Sequence, residues 1–285
     1  MLHLSGVLAM KLAALFLATL SVLPMLAQQQ QQQDPQGEAQ RSTIEVKPGG
    51  QVIKQKDLWD ATGYLHPLVR MPKYVMRDQK DIWTSPVHTA KSDIKWWAIF
   101  GGATAALIAS DKWMVKQLPN SSSQISVSTW GSRLGSAYTL IPASAVVYIG
   151  GTAGHNDRLR ETGLLAFETL IDANIVVEAV KLTADRARPY ENSAGKFESS
   201  PHGRWSSSFP SGHAISVWSL ASVAAHQYRH KKIVPIVAYA LATTVVAARV
   251  GARQHFPADV VAGSAMGWFI GDAIYGKRHN QELDK

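Results

Sequence analysis

Beyond residue 95 the apolar positions of the chain gather into six runs, 96–110, 138–151, 163–180, 214–225, 233–248 and 260–275, separated by loops that carry charges, Pro and Gly. Ala, Leu and Val dominate these runs, and none shows the strict alternation of a half-buried strand. The pattern predicts an all-α domain over 95–276, a bundle of about six helices, with a polar tail at 277–285.

Upstream the pattern is different. Lys11 precedes an apolar run from Leu12 to Leu23, followed by Pro24 and the small Ala27. This order predicts an export signal over 1–27 cut after Ala27, with an uncleaved anchor helix as the alternative and Met10 as a more compact start than Met1. A glutamine run at 28–33 opens a polar stretch without apolar period, read as a flexible tether over 28–56. Between 57 and 94, Trp59, Tyr64, Tyr74 and Trp83 lie among charges and Pro67, Pro72 and Pro86, which predicts short helices and turns packing on the core.

Whether the bundle crosses a membrane turns on run length and charge. Most uncharged runs fall short of the ~18–20 residues a spanning helix needs. The third run contains Glu168, Asp172 and Glu178, costly if they faced lipid. Mean hydropathy is only -0.06. These features favour a soluble or peripherally attached domain over a six-span one, while integral attachment stays open. The export signal places the protein in the cell envelope either way.

Composition narrows the chemistry. With 29 Lys and Arg against 21 Asp and Glu, the net charge of +8 favours anionic partners without choosing among phosphates, nucleic acid and lipid headgroups. Cysteine is absent, which excludes disulfides, a cysteine nucleophile and a cysteine-ligated zinc site.

Three clusters offer groups suited to a phosphate ester. In KLTADRARP, Lys181 and Arg188 are seven residues apart, so on a helix ended by Pro189 both cations share one face. Alone, the cluster reads more readily as a basic helix C-terminus complementing the macrodipole. In SSSFPSGHA a helix start supplies free N–H groups, Ser211 a hydroxyl and Gly212 a close backbone approach, with His213 beside them. Alone, it could be an ordinary capped helix with a surface histidine. In ARVGARQHFPAD, Pro257 suits a first helical turn, placing His255 just before the helix and Asp259 within reach of its ring N–H. An imidazole so held presents its other nitrogen for attack, although a His and an Asp four apart are common on helix surfaces.

Taken in order, K-x6-RP, PSGH and R-x5-H-x3-D resemble the three-part signature of the type 2 phosphatidic acid phosphatase (PAP2) superfamily, which includes class A acid phosphatases and vanadium haloperoxidases. The resemblance covers roughly 96–276. It implies a phosphatase in which His255 attacks phosphorus, Asp259 orients its ring, and protonated His213 donates to the leaving group. Lys181, Arg188, Arg249, Ser211 and the Gly212 amide would hold the phosphoryl oxygens. It implies no metal and no other cofactor. Arg186, Arg204 and Arg253 would widen the positive field without touching phosphate. One position departs from the pattern: Ala248 stands where the family has Ser, which removes a hydroxyl near Arg249.

Two other functions compete. In a vanadium-dependent haloperoxidase His255 would ligate vanadate, but the helical core is short for that reading. In a non-enzymatic envelope protein the basic pocket would only hold anionic lipid, and the His255 and Asp259 pair would be unnecessary. The expected partners are a phosphorylated lipid or small phosphomonoester and a membrane surface, without nucleic acid; oligomeric state is not legible. His155 with Asp157 has no phosphate-gripping group at suitable spacing and reads as structural, while His202 and His226 read as solvent-facing or packing residues.

Overall fold

The computed structural model describes residues 66–88, 90, 93–198 and 200–284. The expected signal at 1–27 and tether at 28–56 lie outside the described residues, as does the beginning of 57–94. The chain forms two compact units, one ending at Ala98 and one beginning at Ile99. Among the described residues of the first, a 19-residue helix, α1 (His66–Thr84), carries Pro72 in its interior. It ends where the Thr84 and Ser85 hydroxyls turn back onto the Lys80 and Ile82 carbonyls, both at 2.8 Å.

The second unit takes the residues of α2 (Ile94–Gln117) from Ile99 on, then α3 (Ser122–Arg133), α4 (Ala137–Ala153), α5 (Asp157–Ala184), α6 (Gly212–Gln227), α7 (Ile233–Gly251) and α8 (Pro257–Arg278). The six apolar runs became α2 and α4 to α8. Helix α3 is additional. Its sequence, SSQISVSTWGSR, has poor helix formers and no apolar stripe. Its start is fixed by Ser121, whose side chain accepts from the Gln124 amide, and it is tied to α7 where Gln124 Nε2 donates to the Gly251 carbonyl at 3.2 Å.

Helix α6 lies against α5, α7 and α8, while α4 packs on α5. The contact of α6 with α8 sets the geometry of the site. Gly263, Gly267 and Gly271 recur every fourth residue along one face of α8, and α6 sits directly on that face. A Cβ at Gly263 would lie 2.7 Å from the Ser211 carbonyl oxygen, and one at Gly271 2.7 Å from Ser222 Cβ. No side chain larger than hydrogen allows this approach. At the same end the Ser211 amide donates to the Asp259 carbonyl at 3.0 Å, so the N-termini of α6 and α8 meet.

Much of the apolar surface is unburied. The stretches Ser122–Ala153 and Ile233–Gly251 are long and apolar enough to cross a membrane, yet only 17% and 6% of their apolar windows are buried. Ile233, Ile236 and Leu241 of α7 are 63–65% exposed. Conversely, Glu168 and Asp172 of α5 are interior, and Glu168 accepts from Arg278 Nε at 3.1 Å. Of the three charges that argued against lipid, Glu168 and Asp172 are thus buried, while Glu178 is partly exposed and paired with Lys181.

Candidate active site

Helix α5 ends earlier than Pro189 would require. Ala184 is its last residue, and Asp185 caps it in the left-handed conformation at φ 43°. Lys181 and Arg188 are therefore not two turns apart on one helix face. Lys181 stands on the last turn, where its Nζ lies 2.6 Å from Glu178 Oε1, and Arg188 follows in the loop. Arg188 is aimed by its Nε donating to the Ser206 carbonyl and its Nη1 to the Gln254 carbonyl, both at 3.1 Å, while its amide donates to Glu191 Oε2 at 2.7 Å.

Helix α6 begins at Gly212 with Ser211 as its N-cap, the hydroxyl accepting from the Ala214 amide at 3.4 Å. A Cβ on Gly212 would lie 3.7 Å from Lys181 Nζ, so the lysine ammonium stands next to the helix N-terminus. Positive end and cation together form an anion cradle. Arg249, in the last turn of α7, completes it; its Nη1 donates to Ser132 Oγ of α3 at 3.2 Å.

His255 is buried immediately before α8. Its Nδ1 is 2.8 Å from the Ser208 carbonyl oxygen and 3.8 Å from Asp259 Oδ2. This corrects the sequence expectation: the backbone carbonyl, and not the carboxylate, accepts the ring N–H. A carbonyl can only accept, so Nδ1 carries the proton and Nε2 keeps its lone pair. Asp259 turns instead to the Phe256 amide at 2.8 Å and to Arg186 Nη1 at 2.5 Å, an orientation that still leaves its charge near the ring.

The electrostatics follow from burial among cations. Burial, with Arg188 and Arg249 adding to it, holds the His255 ring well below the ordinary histidine range. Burial followed by the charge of Arg249 pushes His213 down to about 3. Burial raises the Asp259 carboxyl, and Arg186 opposes it. Lys181, Arg188 and Arg249 thus surround two neutral imidazoles.

The structure brings together Lys181, Arg188, Ser211, Gly212, His213, Arg249, His255 and Asp259, every residue of the expected site. The three further arginines are engaged elsewhere. Arg204 reaches the Leu182 carbonyl at 3.4 Å, Arg253 the Val115 and Leu118 carbonyls at 3.3 and 3.0 Å, and Arg186 is buried between two carboxylates. Arg186 therefore adds no positive field to the cradle. Sequence reasoning missed Asp111, Ser132 and Ser208; nothing in their local sequence distinguishes them from ordinary helix or loop residues. Asp157 pairs with Arg160 at 2.9 Å and neighbouring Asn156 caps α5, consistent with a structural loop. His226 bonds the Ser222 carbonyl at 2.8 Å.

Residues 162–282 match the family model described as PAP2 superfamily. No curated protein matches the chain significantly. Among solved structures the chain is similar to a transmembrane PAP2-type phosphatidylglycerolphosphate phosphatase from Bacillus subtilis, with 21% identity over 75% of this chain and 96% of that one and a TM-score of 0.47.

Proposed function

We propose, from the match of residues 162–282 to the PAP2 superfamily model, that the protein is a metal-independent phosphatase acting on phosphate monoesters or pyrophosphates, foremost those of lipids, through a phosphohistidine on His255. The observation that carries this reading is the His255 tautomer. With Nδ1 donating to the Ser208 carbonyl, the free Nε2 lone pair belongs to the only ring in the cluster that is held from behind by a fixed acceptor.

In the first step Nε2 attacks phosphorus, a P–N bond forms, and the P–O bond to the leaving group breaks. The positive charge that develops on the ring is offset by Asp259, 3.8 Å from Nδ1. Lys181, Arg188 and Arg249 hold the phosphoryl oxygens, and the Gly212 amide and Ser211 hydroxyl add donors at the α6 N-terminus. His213 gives its proton to the departing oxygen. The same neutral imidazole then takes a proton from water as it attacks phosphorus, and the P–N electrons return to His255.

His213 is held neutral by burial and by the charge of Arg249, so its acid role requires the substrate. A phosphate dianion between Lys181, Arg188 and Arg249 reverses the local field and favours the imidazolium. Protonation is then tied to occupancy.

Two further features support the lipid assignment. The unburied apolar faces of α4 and α7 favour association with a membrane, whose lipids carry headgroup phosphates. The apolar run after Lys11 favours export to the cell envelope.

The test separates the two histidines by leaving group. His255→Ala abolishes turnover of every substrate. His213→Ala loses about 100-fold or more on an alkyl phosphate and much less on p-nitrophenyl phosphate, whose leaving group departs without a proton. Equal losses on both substrates would remove His213 from the acid role, and turnover by His255→Ala would remove the mechanism.

A further inference from the structure

Behind the nucleophile lies a buried group that the reaction above does not use. Arg186 is 1% exposed, and its two terminal nitrogens reach two different carboxylates: Nη1 to Asp259 Oδ1 at 2.5 Å and Nη2 to Asp111 Oδ2 at 2.8 Å. The guanidinium is flanked by the rings of Phe256 and Phe197, at 4.4 and 5.1 Å from their centroids. Asp111 and Asp259 are both fully buried.

Each carboxylate also holds the start of α8. Asp111 Oδ1 accepts from the Ala258 amide at 3.0 Å, and Asp259 Oδ2 accepts from the Phe256 amide at 2.8 Å. His255 directly precedes Phe256 and lies three residues before Ala258. The backbone of Arg186 acts on the same Nδ1 edge of the ring, through Ser208. Its carbonyl accepts from the Ser208 amide at 2.8 Å and its amide donates to Ser207 Oγ at 2.9 Å. Ser208 supplies the carbonyl that takes the His255 Nδ1 proton. One residue therefore fixes both the carboxylate and the carbonyl that face Nδ1.

We propose that Arg186 and Asp111 are positioning residues for the nucleophile, Arg186 locking Asp259 and Ser208 around the His255 ring and Asp111 locking Arg186 and the first turn of α8. With both carboxyls ionised, a group of two carboxylates and one guanidinium carries a net negative charge. Its place behind the ring opposes the charge that appears on His255 when the P–N bond forms, while the cradle cations stay on the phosphate side. Burial raises the Asp111 carboxyl, and the bridging arginine opposes that shift. Lysine would be a poor substitute, because its single ammonium cannot present two nitrogens to two acceptors in a fixed plane.

The inference rests on the phosphohistidine reading, and the experiment separates their failures. Asp111→Asn, Arg186→Lys and His255→Ala are prepared in the full chain and compared by rapid-quench phosphoenzyme formation from p-nitrophenyl phosphate, by steady-state kcat and KM, and by vanadate inhibition. Asp111→Asn turns an amide N–H₂ toward one of its two partners, Arg186 or the Ala258 amide, and loosens the lock. Phosphoenzyme formation and kcat are expected to fall about 10- to 100-fold, the size of a small displacement of a reacting group. KM and the vanadate inhibition constant should stay within about threefold, because the residues that grip phosphate are untouched. Asp111→Glu, which restores the carboxylate, should recover part of the rate.

Wild-type phosphoenzyme formation in Asp111→Asn overturns the proposal. So does a parallel loss of rate, vanadate affinity and thermal midpoint, which is the mark of general damage. If Asp111→Asn does not fold, Arg186→Lys decides by the same pattern of lost rate with retained vanadate affinity. Turnover by His255→Ala would instead refute the phosphohistidine reading itself; an inactive His255→Ala beside a fully active Asp111→Asn refutes the positioning role alone.

Discussion

Neutral imidazoles among fixed cations give the site its pH behaviour. An ordinary histidine charges as pH falls through about 6.5. His213, pushed down to about 3, and His255, held well below the usual range, keep their lone pairs as pH falls further. The sign is that acid of moderate strength does not protonate the nucleophile. In ¹⁵N-histidine NMR of the ligand-free protein, neither ring should titrate between about pH 5 and 8, the window in which an unperturbed ring does. Vanadate should bring the His213 titration back toward neutrality, because an anion between Lys181, Arg188 and Arg249 opposes their field. A ring of the pair titrating near its ordinary value without ligand would contradict this picture. Residue identity was legible because Lys, Arg, Ser, Gly, His and Asp fall in three short motifs. The hydrogen bonds were not. Asp259 and His255 are four apart in sequence, but which acceptor takes the ring N–H depends on Ser208, brought in by a separate loop.

At the scale of elements, the approach of α6 to α8 joins His213 to His255. The ladder of Gly263, Gly267 and Gly271 permits that approach, and a Cβ at Gly267 would lie 2.9 Å from the Ile215 carbonyl carbon. Gly267→Ala is therefore expected to cost about 1–3 kcal/mol by overpacking and to reduce activity as the helices separate. Gly276→Ala is the control, since its added Cβ meets nothing within 4 Å. Equal thermal midpoints for the two variants would count against the role of the ladder. Helices α2 and α4 to α8 could be read from their long apolar runs. Helix α3 could not, because Ser and Thr dominate it and its N-cap and its tie to α7 hold it in place. The end of α5 was misplaced because Asp185 takes the left-handed cap before Pro189 can act as the stop. Asp111 lies 75 residues before Arg186, so only the fold reveals that pair.

For the whole molecule, surface chemistry is split between a cationic cradle and unburied apolar helices. Counting uncharged residues favoured a soluble or peripheral domain, but the count ignored direction: Glu168 and Asp172 point inward while Ile233, Ile236 and Leu241 of α7 point out. An apolar surface of this kind needs a cover, and lipid suits it. The protein should therefore fractionate with membranes and stay there through carbonate extraction; release into the carbonate supernatant would return the peripheral reading. The central claim, a covalent phosphate on His255, is tested most directly by trapping. Brief exposure of the full chain to ³²P-labelled substrate, followed by denaturing quench and peptide mapping, should give acid-labile, base-stable phosphate on the peptide carrying His255. That label should persist in His213→Ala and be absent from His255→Ala. Phosphate mapping to Ser211, or a labelled His255→Ala protein, would contradict the account.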